Sequence, residues 1–147
     1  MYSFNGRFAA RLDDKNRMRI PAKYKADLET GYKLAFGPDK NIYVLPNEEY
    51  RKILDSFQGA SIFDTEVQDA IAEFTSTVFD VCEDNQGRFI LPGELKEYAE
   101  IDKEIVIVGA ATYLRIESAE SFAEKSKGRN IAGVFAKLKG LKAGQEE

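Results

Sequence analysis

Short apolar alternations broken by turn residues organise most of the chain. Phe8, Ala10 and Leu12 alternate with small or basic residues, Met18 and Ile20 do the same after a polar run, and YKLAF (32–36) and IYVL (42–45) are denser apolar stretches. Period-two patterning bounded by Asp, Asn and Gly predicts strands. The series then recurs: Phe79 and Val81, then Phe89, Ile90 and Leu91, then EIVIVG (104–109) and YLRIE (113–117). Between the first two strands of each series stand Asp-Asp-Lys-Asn (13–16) and Asp-Asn-Gln-Gly (84–87). An Asp can accept from the backbone two residues on, and Asn16 and Gly87 fall where a left-handed residue is tolerated, so each pair of strands is expected to close as a tight hairpin. Pro21 and Pro92 lack a ladder donor and suit a first helical turn, which predicts short helices in AKYKADL (22–28) and GELKEYA (93–99).

A 3.6-residue period appears in two other places. Tyr50, Ile53, Leu54 and Phe57 form a stripe in 47–57, with Asn47 as the expected N-cap and Gly59 beyond the end. Val67, Ala70, Ile71, Phe74 and Val78 form another in a helix expected from Asp64 to about Thr77, with Thr65 and Gln68 as a capping box. Such stripes predict packing against a core or a neighbouring subunit. Past Phe122 four glycines and six Lys or Arg residues weaken the pattern, although Ile131, Val134, Phe135 and Leu138 make a short stripe beside Lys137, Lys139 and Lys142. That segment can dock on a neighbour, touch nucleic acid or stay mobile.

The recurrence is an internal repeat. FAARLDDKNRMRIPAKYK (8–25) returns 71 positions later as FDVCEDNQGRFILPGELK (79–96), with Phe8, Asp13, Arg17, Pro21 and Lys25 matched by Phe79, Asp84, Arg88, Pro92 and Lys96. After one extra residue in the second copy, 37–50 aligns with 109–122. Each unit reads β-β-α-β-β and, at about 45 residues, is too small to bury a core alone. The two units must complete each other, and the expectation is an α+β, mainly β fold with peripheral helices. The domain plan is 5–48 for the first repeat, 49–76 for connecting helices, 77–120 for the second repeat and 121–147 for a C-terminal helix and basic tail.

The duplicated D-x-x-x-R-x-x-x-P frame, with DNQGRFILP in the second copy and EIVIVGAATYLRIES closing it, resembles the MraZ family of bacterial transcriptional regulators, built from two SpoVT/AbrB-type domains. The resemblance spans roughly residues 4 to 122. It implies a swapped-hairpin barrel within one chain, a ring-shaped cyclic homo-oligomer, and binding to double-stranded DNA near the division and cell wall gene cluster. One departure stands at Asn16, where the family's first motif usually has Gly; Asn tolerates the left-handed region better than other non-Gly residues.

Charge sharpens this picture. The whole chain carries −4, yet residues 1–25 hold seven basic residues against Asp13 and Asp14, a local +5, while 79–100 hold two basic against six acidic, a local −4. Phosphate attraction dominates affinity for DNA irrespective of sequence, so the first copy is the one suited to a duplex. The DNA-binding candidates are Arg11, Lys15, Arg17, Arg19 and Lys23; Asp13, Asn16, Pro21, Asp84, Gly87, Arg88 and Pro92 are assigned to the turns and the frame. Arg17 has two readings, since an Arg four residues after an Asp can equally pair with it across the turn. Direct readout by Arg favours guanine, hence a G-containing site.

Composition excludes much else. There is no His to serve as a base, no Gly-rich phosphate loop and no metal-ligand spacing, so no enzyme, cofactor, metal or small-molecule substrate is expected. Without an apolar run of membrane-spanning length, a cytoplasmic, nucleoid-associated protein is expected. Cys82, the single cysteine, is expected to be a small buried hydrophobe. Two functions stay open: a sequence-specific DNA-binding regulator, and an oligomeric structural or protein-interaction module whose basic charge meets an acidic partner.

Overall fold

The strands at 32–36, 42–46, 104–109 and 114–118 are buried over most of their length rather than at alternate residues, and the partners the strands choose are mostly in the other repeat. A computed structural model describes residues 3–145. In chain order the elements are β1 (Arg7–Arg11), β2 (Arg17–Arg19), α1 (Ala22–Lys25) running into a 3₁₀ turn (Ala26–Leu28), β3 (Tyr32–Phe36), β4 (Ile42–Pro46), α2 (Asn47–Ser56) and α3 (Thr65–Ser76). The second series follows as β5 (Phe79–Asp80), β6 (Arg88–Ile90), α4 (Gly93–Tyr98), β7 (Glu104–Gly109), β8 (Leu114–Ser118), α5 (Ala119–Lys127) and α6 (Ile131–Gln145).

Six strands form one antiparallel sheet in the order β1-β7-β8-β4-β3-β5, and β2 pairs β6 in a separate ribbon. The pairing is symmetric between the repeats. Phe8 on β1 faces Ile107 on β7, and Phe79 on β5 faces Leu34 on β3. The β4–β8 ladder is centred on Tyr43 opposite Arg115, and the β2–β6 ladder on Met18 opposite Phe89. A pseudo-two-fold therefore runs through the middle of both ladders. The expected tight hairpins do not form: β1 and β2 keep only turn bonds between them, Asp13 N–H to Arg17 O at 3.1 Å and Asn16 N–H to Asp13 O at 2.9 Å. The reason is burial. Leu12, Ile20, Leu91, Leu95, Ile105, Ile107 and Ile116 are all at most 1% exposed in one common cluster. With each such side chain worth about 1.5–3 kcal/mol when buried, exchanging strands lets two undersized units share a single core. Among the described residues, the ladders do not join into a continuous barrel; the β2–β6 ribbon covers the sheet through Met18 and Phe89, the latter edge-on to Tyr32 at 6.0 Å.

Several local expectations are corrected. Leu34 faces Val44 where Ile107 faces Ile116, so Ile107, not Val106, holds Leu34's place, and the turn after β7 is one residue shorter than the turn after β3. Gly37 and Gly109 are thus not equivalent. Pro46, not Asn47, is the N-cap of α2, and the Asn47 amide instead donates to Thr30 O at 2.8 Å. The cap of α3 is Asp64, accepting from Val67 N–H at 3.3 Å, while Gln68 reaches back to Ser61 O. Residues 119–127, left without a helix by the sequence, form α5, capped by the Ser118 hydroxyl accepting from Ser121 N–H. Cys82 is exposed, because β5 leaves the sheet after only two residues. Helices α2 and α3 touch each other through Phe57 and Phe74 and bury no residue fully. Among the described residues, no helix is long and apolar enough to cross a membrane.

Candidate nucleic-acid interface

Both turns are built by the same carboxylate chemistry. Asp13 accepts from Lys15 N–H at 2.9 Å and Arg17 N–H at 2.8 Å with one oxygen, and from Arg17 Nε at 2.7 Å with the other. Asp84 does the same with Gln86 N–H, Arg88 N–H and Arg88 Nε at 2.9, 2.9 and 3.0 Å. Backbone donors favour the charged carboxylate. The Arg17 N–H holds the Asp13 carboxyl down at about 2; desolvation, the next largest influence, opposes it, and the Arg17 side chain and the Lys15 N–H add to the lowering. Asp84 is lowered for the same reasons, led by the Arg88 N–H. Asn16 at φ 59 and Gly87 at φ 77 supply the left-handed residue that lets each chain re-enter a strand.

The ribbon that follows the turns carries the arginines. Since alternate residues of a strand share a face, burying Met18 and Phe89 places Arg17, Arg19, Arg88 and Ile90 together on the opposite face. Arg19 stands directly opposite Arg88, and Ile90 opposite Arg17. Antiparallel pairing sets the two turns at opposite ends of a ribbon of about 10 Å, taking about 3.4 Å per residue over three residues. Arg88 is thus both a turn residue and a member of the same outward face as Arg17 and Arg19. Sequence spacing assigned it to the frame alone, because only the exchanged pairing of β2 with β6 brings the two copies together.

The five candidates are not equivalent. Arg17 is tied to Asp13, and Arg11 to Glu104, its cross-strand neighbour on β7. Lys15 and Arg19 are exposed and have no carboxylate partner among the described residues. Lys23 sits apart: its ammonium lies over the Tyr24 ring at 5.1 Å and against Gly6, at the end of β1 remote from the turn. Lys103 is an addition, its ammonium donating to Asp13 O at 3.2 Å, and nothing in the local sequence around the turn could reveal it. Lys25 is taken up internally, bound with the Tyr32 hydroxyl to Glu83. Burial raises the Glu83 carboxyl, but the bonds from Lys25 and Tyr32 outweigh it and leave the group below its ordinary value.

Chemically this is a narrow two-stranded ribbon with three arginines on its outer face, a basic turn at one end and an acidic one at the other. A ribbon of this kind fits the roughly 12 Å major groove, where guanidinium groups can address phosphates or base edges. Residues 79–134 match the family described as "MraZ protein, putative antitoxin-like". The chain is 33% identical over 119 residues to the transcriptional regulator MraZ of Micrococcus luteus, covering 81% of this chain and 83% of that protein. It is 34% identical over 119 residues to that of Kocuria rhizophila, with the same coverage, and 33% identical over 135 residues to that of Thermobifida fusca, covering 92% and 93%.

Proposed function

Because the chain belongs to the MraZ family, whose relatives are named transcriptional regulators, we propose that it regulates transcription by binding specific double-stranded DNA through the β2–β6 ribbon. The observation that carries this reading is the common outer face of Arg17, Arg19 and Arg88, with Lys15 and Lys103 at one end. Arg19 and Arg88 are opposed like charges on an antiparallel ladder, a local cost that an intervening phosphate or guanine acceptor would relieve. The net charge of −4 is no obstacle, since the local field at the ribbon decides the encounter.

The regulator acts as a cyclic homo-oligomer on direct repeats upstream of division and cell wall genes, in the cytoplasm at the nucleoid. Support for assembly comes from apolar surface the single chain leaves open: Ile62, Phe63 and Val67 around α3, and Ile131, Val134, Phe135 and Leu138 on α6. A ring relates neighbours by rotation about its axis, so it repeats the ribbon in one sense and favours direct repeats over a palindrome. Each further repeat is engaged intramolecularly. Fluorescence anisotropy with duplexes from upstream of the protein's own gene, carrying one to four repeats at two salt concentrations, tests this. Affinity should fall steeply as repeats are removed, and the salt slope should shrink with each deletion by about 0.9 for every phosphate that is no longer neutralised. Equal affinity and slope for one and four repeats would refute the multivalent mechanism.

A further inference from the structure

The repeat offers an internal control for a second site. Beneath α2, the first copy closes a small cleft of about 340 Å³ with Tyr43, Leu45 and Ile53. The corresponding residues of the second copy, each 72 positions on (115 less 43, for example), are Arg115, Glu117 and Lys125. Tyr43 and Arg115 face each other at the centre of the β4–β8 ladder, and α2 and α5 begin at equivalent positions, so the correspondence is structural. At these three positions the first copy is apolar or aromatic, although Glu49 and Lys52 also line its cleft, whereas the second carries Arg115, the buried Glu117 and Lys125 and opens into a cleft of about 770 Å³.

The fold therefore does not need charge at these three positions. Glu117 is 1% exposed and sits 3.3 Å from both Arg115 Nε and Lys125 Nζ, yet neither of its oxygens, nor Arg115 Nε, completes a hydrogen bond. Lys125 also reaches the exposed Asp39 at 3.2 Å, outside the cleft. Burying charged groups with bonding capacity unspent is costly, and a bound anion would give Arg115 Nε the acceptor it lacks. The same cleft is lined by Arg7, Arg129 and Lys137, none of which has a carboxylate partner among the described residues. Within the cleft, five cations thus face one carboxylate, which already serves to hold two of them in place.

We propose that this cleft binds a small phosphate-bearing molecule of about nucleotide size, with Arg115 and Lys125 positioned by Glu117 and with Arg7, Arg129 and Lys137 closing on the anion. Its volume lies within the roughly 300–1,000 Å³ of small-molecule sites. It lies beside Gly6 and Arg7, at the end of β1 remote from the Asp13 turn, so it is distinct from the ribbon face and does not depend on the DNA-binding reading.

The test is thermal unfolding of the full chain with inorganic pyrophosphate, against sodium chloride at matched ionic strength. A saturable rise in Tm is expected for the wild type, and the Arg129→Ala/Lys137→Ala double variant should raise the half-saturating concentration at least tenfold. Both side chains are exposed, so the variant should keep its own Tm in chloride. Glu117→Leu, which restores the first copy's residue, should weaken the response likewise. DNA affinity of the double variant for a multi-repeat duplex should be unchanged. No response in the wild type beyond chloride, or an equal response in the double variant, overturns the proposal. Loss of DNA binding in the double variant, whatever pyrophosphate does, assigns the cleft to the nucleic-acid backbone and overturns it too.

Discussion

The Asp13 turn and the Asp84 turn are one device built twice. In each, an Asp accepts two backbone N–H groups and an Arg Nε, and a left-handed residue returns the chain to the ribbon. Their surroundings diverge. The first turn carries Lys15 at its tip, Lys103 bound beneath it, and Arg11 and Arg19 on its flanks; the second has Gln86, Cys82 and Ile90 in place of Lys15, Arg11 and Arg19, and Glu83 where the first has Leu12. The shared residues are those the backbone needs, while among the divergent ones Lys15 and Arg19 have no carboxylate partner among the described residues. The lesson is that a D-x-x-x-R frame by itself marks a turn, while the proposed interface rests on the unpaired cations hung on it.

The largest effect should come from removing those cations. Lys15→Ala combined with Arg19→Ala breaks no ion pair among the described residues, so Tm should move by no more than a surface substitution allows, about 0.5 kcal/mol in stability. DNA affinity should fall by about a hundredfold or more, because a bidentate Arg contact is worth about 1–3 kcal/mol and the loss recurs in every engaged subunit. Gln86→Ala, at the same place on the acidic turn as Lys15 on the basic one, should leave affinity within about twofold, the scale of one neutral hydrogen bond at a wet surface. Equal losses for the two turns, measured by anisotropy at fixed salt, would abolish the division of labour.

Arg17→Ala and Arg88→Ala come next. Both delete the same Nε bond to an equivalent Asp, so each should lower Tm by several degrees and by nearly the same amount. Both should also weaken DNA binding, since both stand on the outer face. Calorimetry showing only Arg88→Ala to be destabilising would mean that Arg17 is held for recognition rather than for the turn.

How far the sequence could carry this comparison depends on the range of the interaction. The turns, the strands at 32–36 and 104–109, and the left-handed slot at Asn16 were legible because each is decided within a few residues, by Asx chemistry, β-branched runs and tolerance of positive φ. The exchange of β2 with β6 was not readable from local patterning, which favours the nearest antiparallel partner; only sharing of one core between two small units selects the distant one. Hence the arginine face was only half visible: Arg17 and Arg19 were expected to project together, but not that Arg88 would join them. The caps of α2 and α3 were missed by one residue for a related reason. Asn47 donates its Nδ2 to Thr30 O, across the loop that Gly31 closes, instead of accepting from the first N–H groups of its own helix. The buried Glu117, with Arg115 and Lys125 beside it, could be found only by aligning the repeats and then seeing which positions lie inside.

Acid should expose the turns in a smaller but separable way. A carboxyl whose folded value is depressed stabilises the protein above the ordinary carboxylate range and loses that contribution as pH falls through its folded value. For Asp13 the window runs from about 4 to about 2, and Asp84 is shifted in the same direction. Wild-type Tm should therefore fall across that window by more than its surface charge dictates. Asp13→Asn should start lower at neutral pH and show a flatter acid limb. Carboxyl NMR titration placing Asp13 at an ordinary value would remove the structural basis of the turn's charge.

The smallest effect distinguishes the two left-handed residues. Gly87 at φ 77 has open space around its Cα, with only the Arg19 Cγ at 4.0 Å from where a Cβ would sit. The cost of Gly87→Ala is therefore conformational, about 1–2 kcal/mol, and not steric. Asn16, at φ 59, already carries a Cβ there and tolerates the region, but its side-chain oxygen is buried without a hydrogen-bond partner. Asn16→Gly then removes one unfavourable term, the unpaired oxygen, and adds another, the extra freedom of the unfolded chain at about 0.4–1 kcal/mol. The two nearly cancel, so urea unfolding should place Asn16→Gly within about 0.5 kcal/mol of wild type while Gly87→Ala falls clearly below it. If Asn16→Gly proved as damaging as Gly87→Ala, the Asn16 side chain would be making a contact that the basic turn needs and the acidic turn lacks, and the equivalence of the two frames would end at that residue.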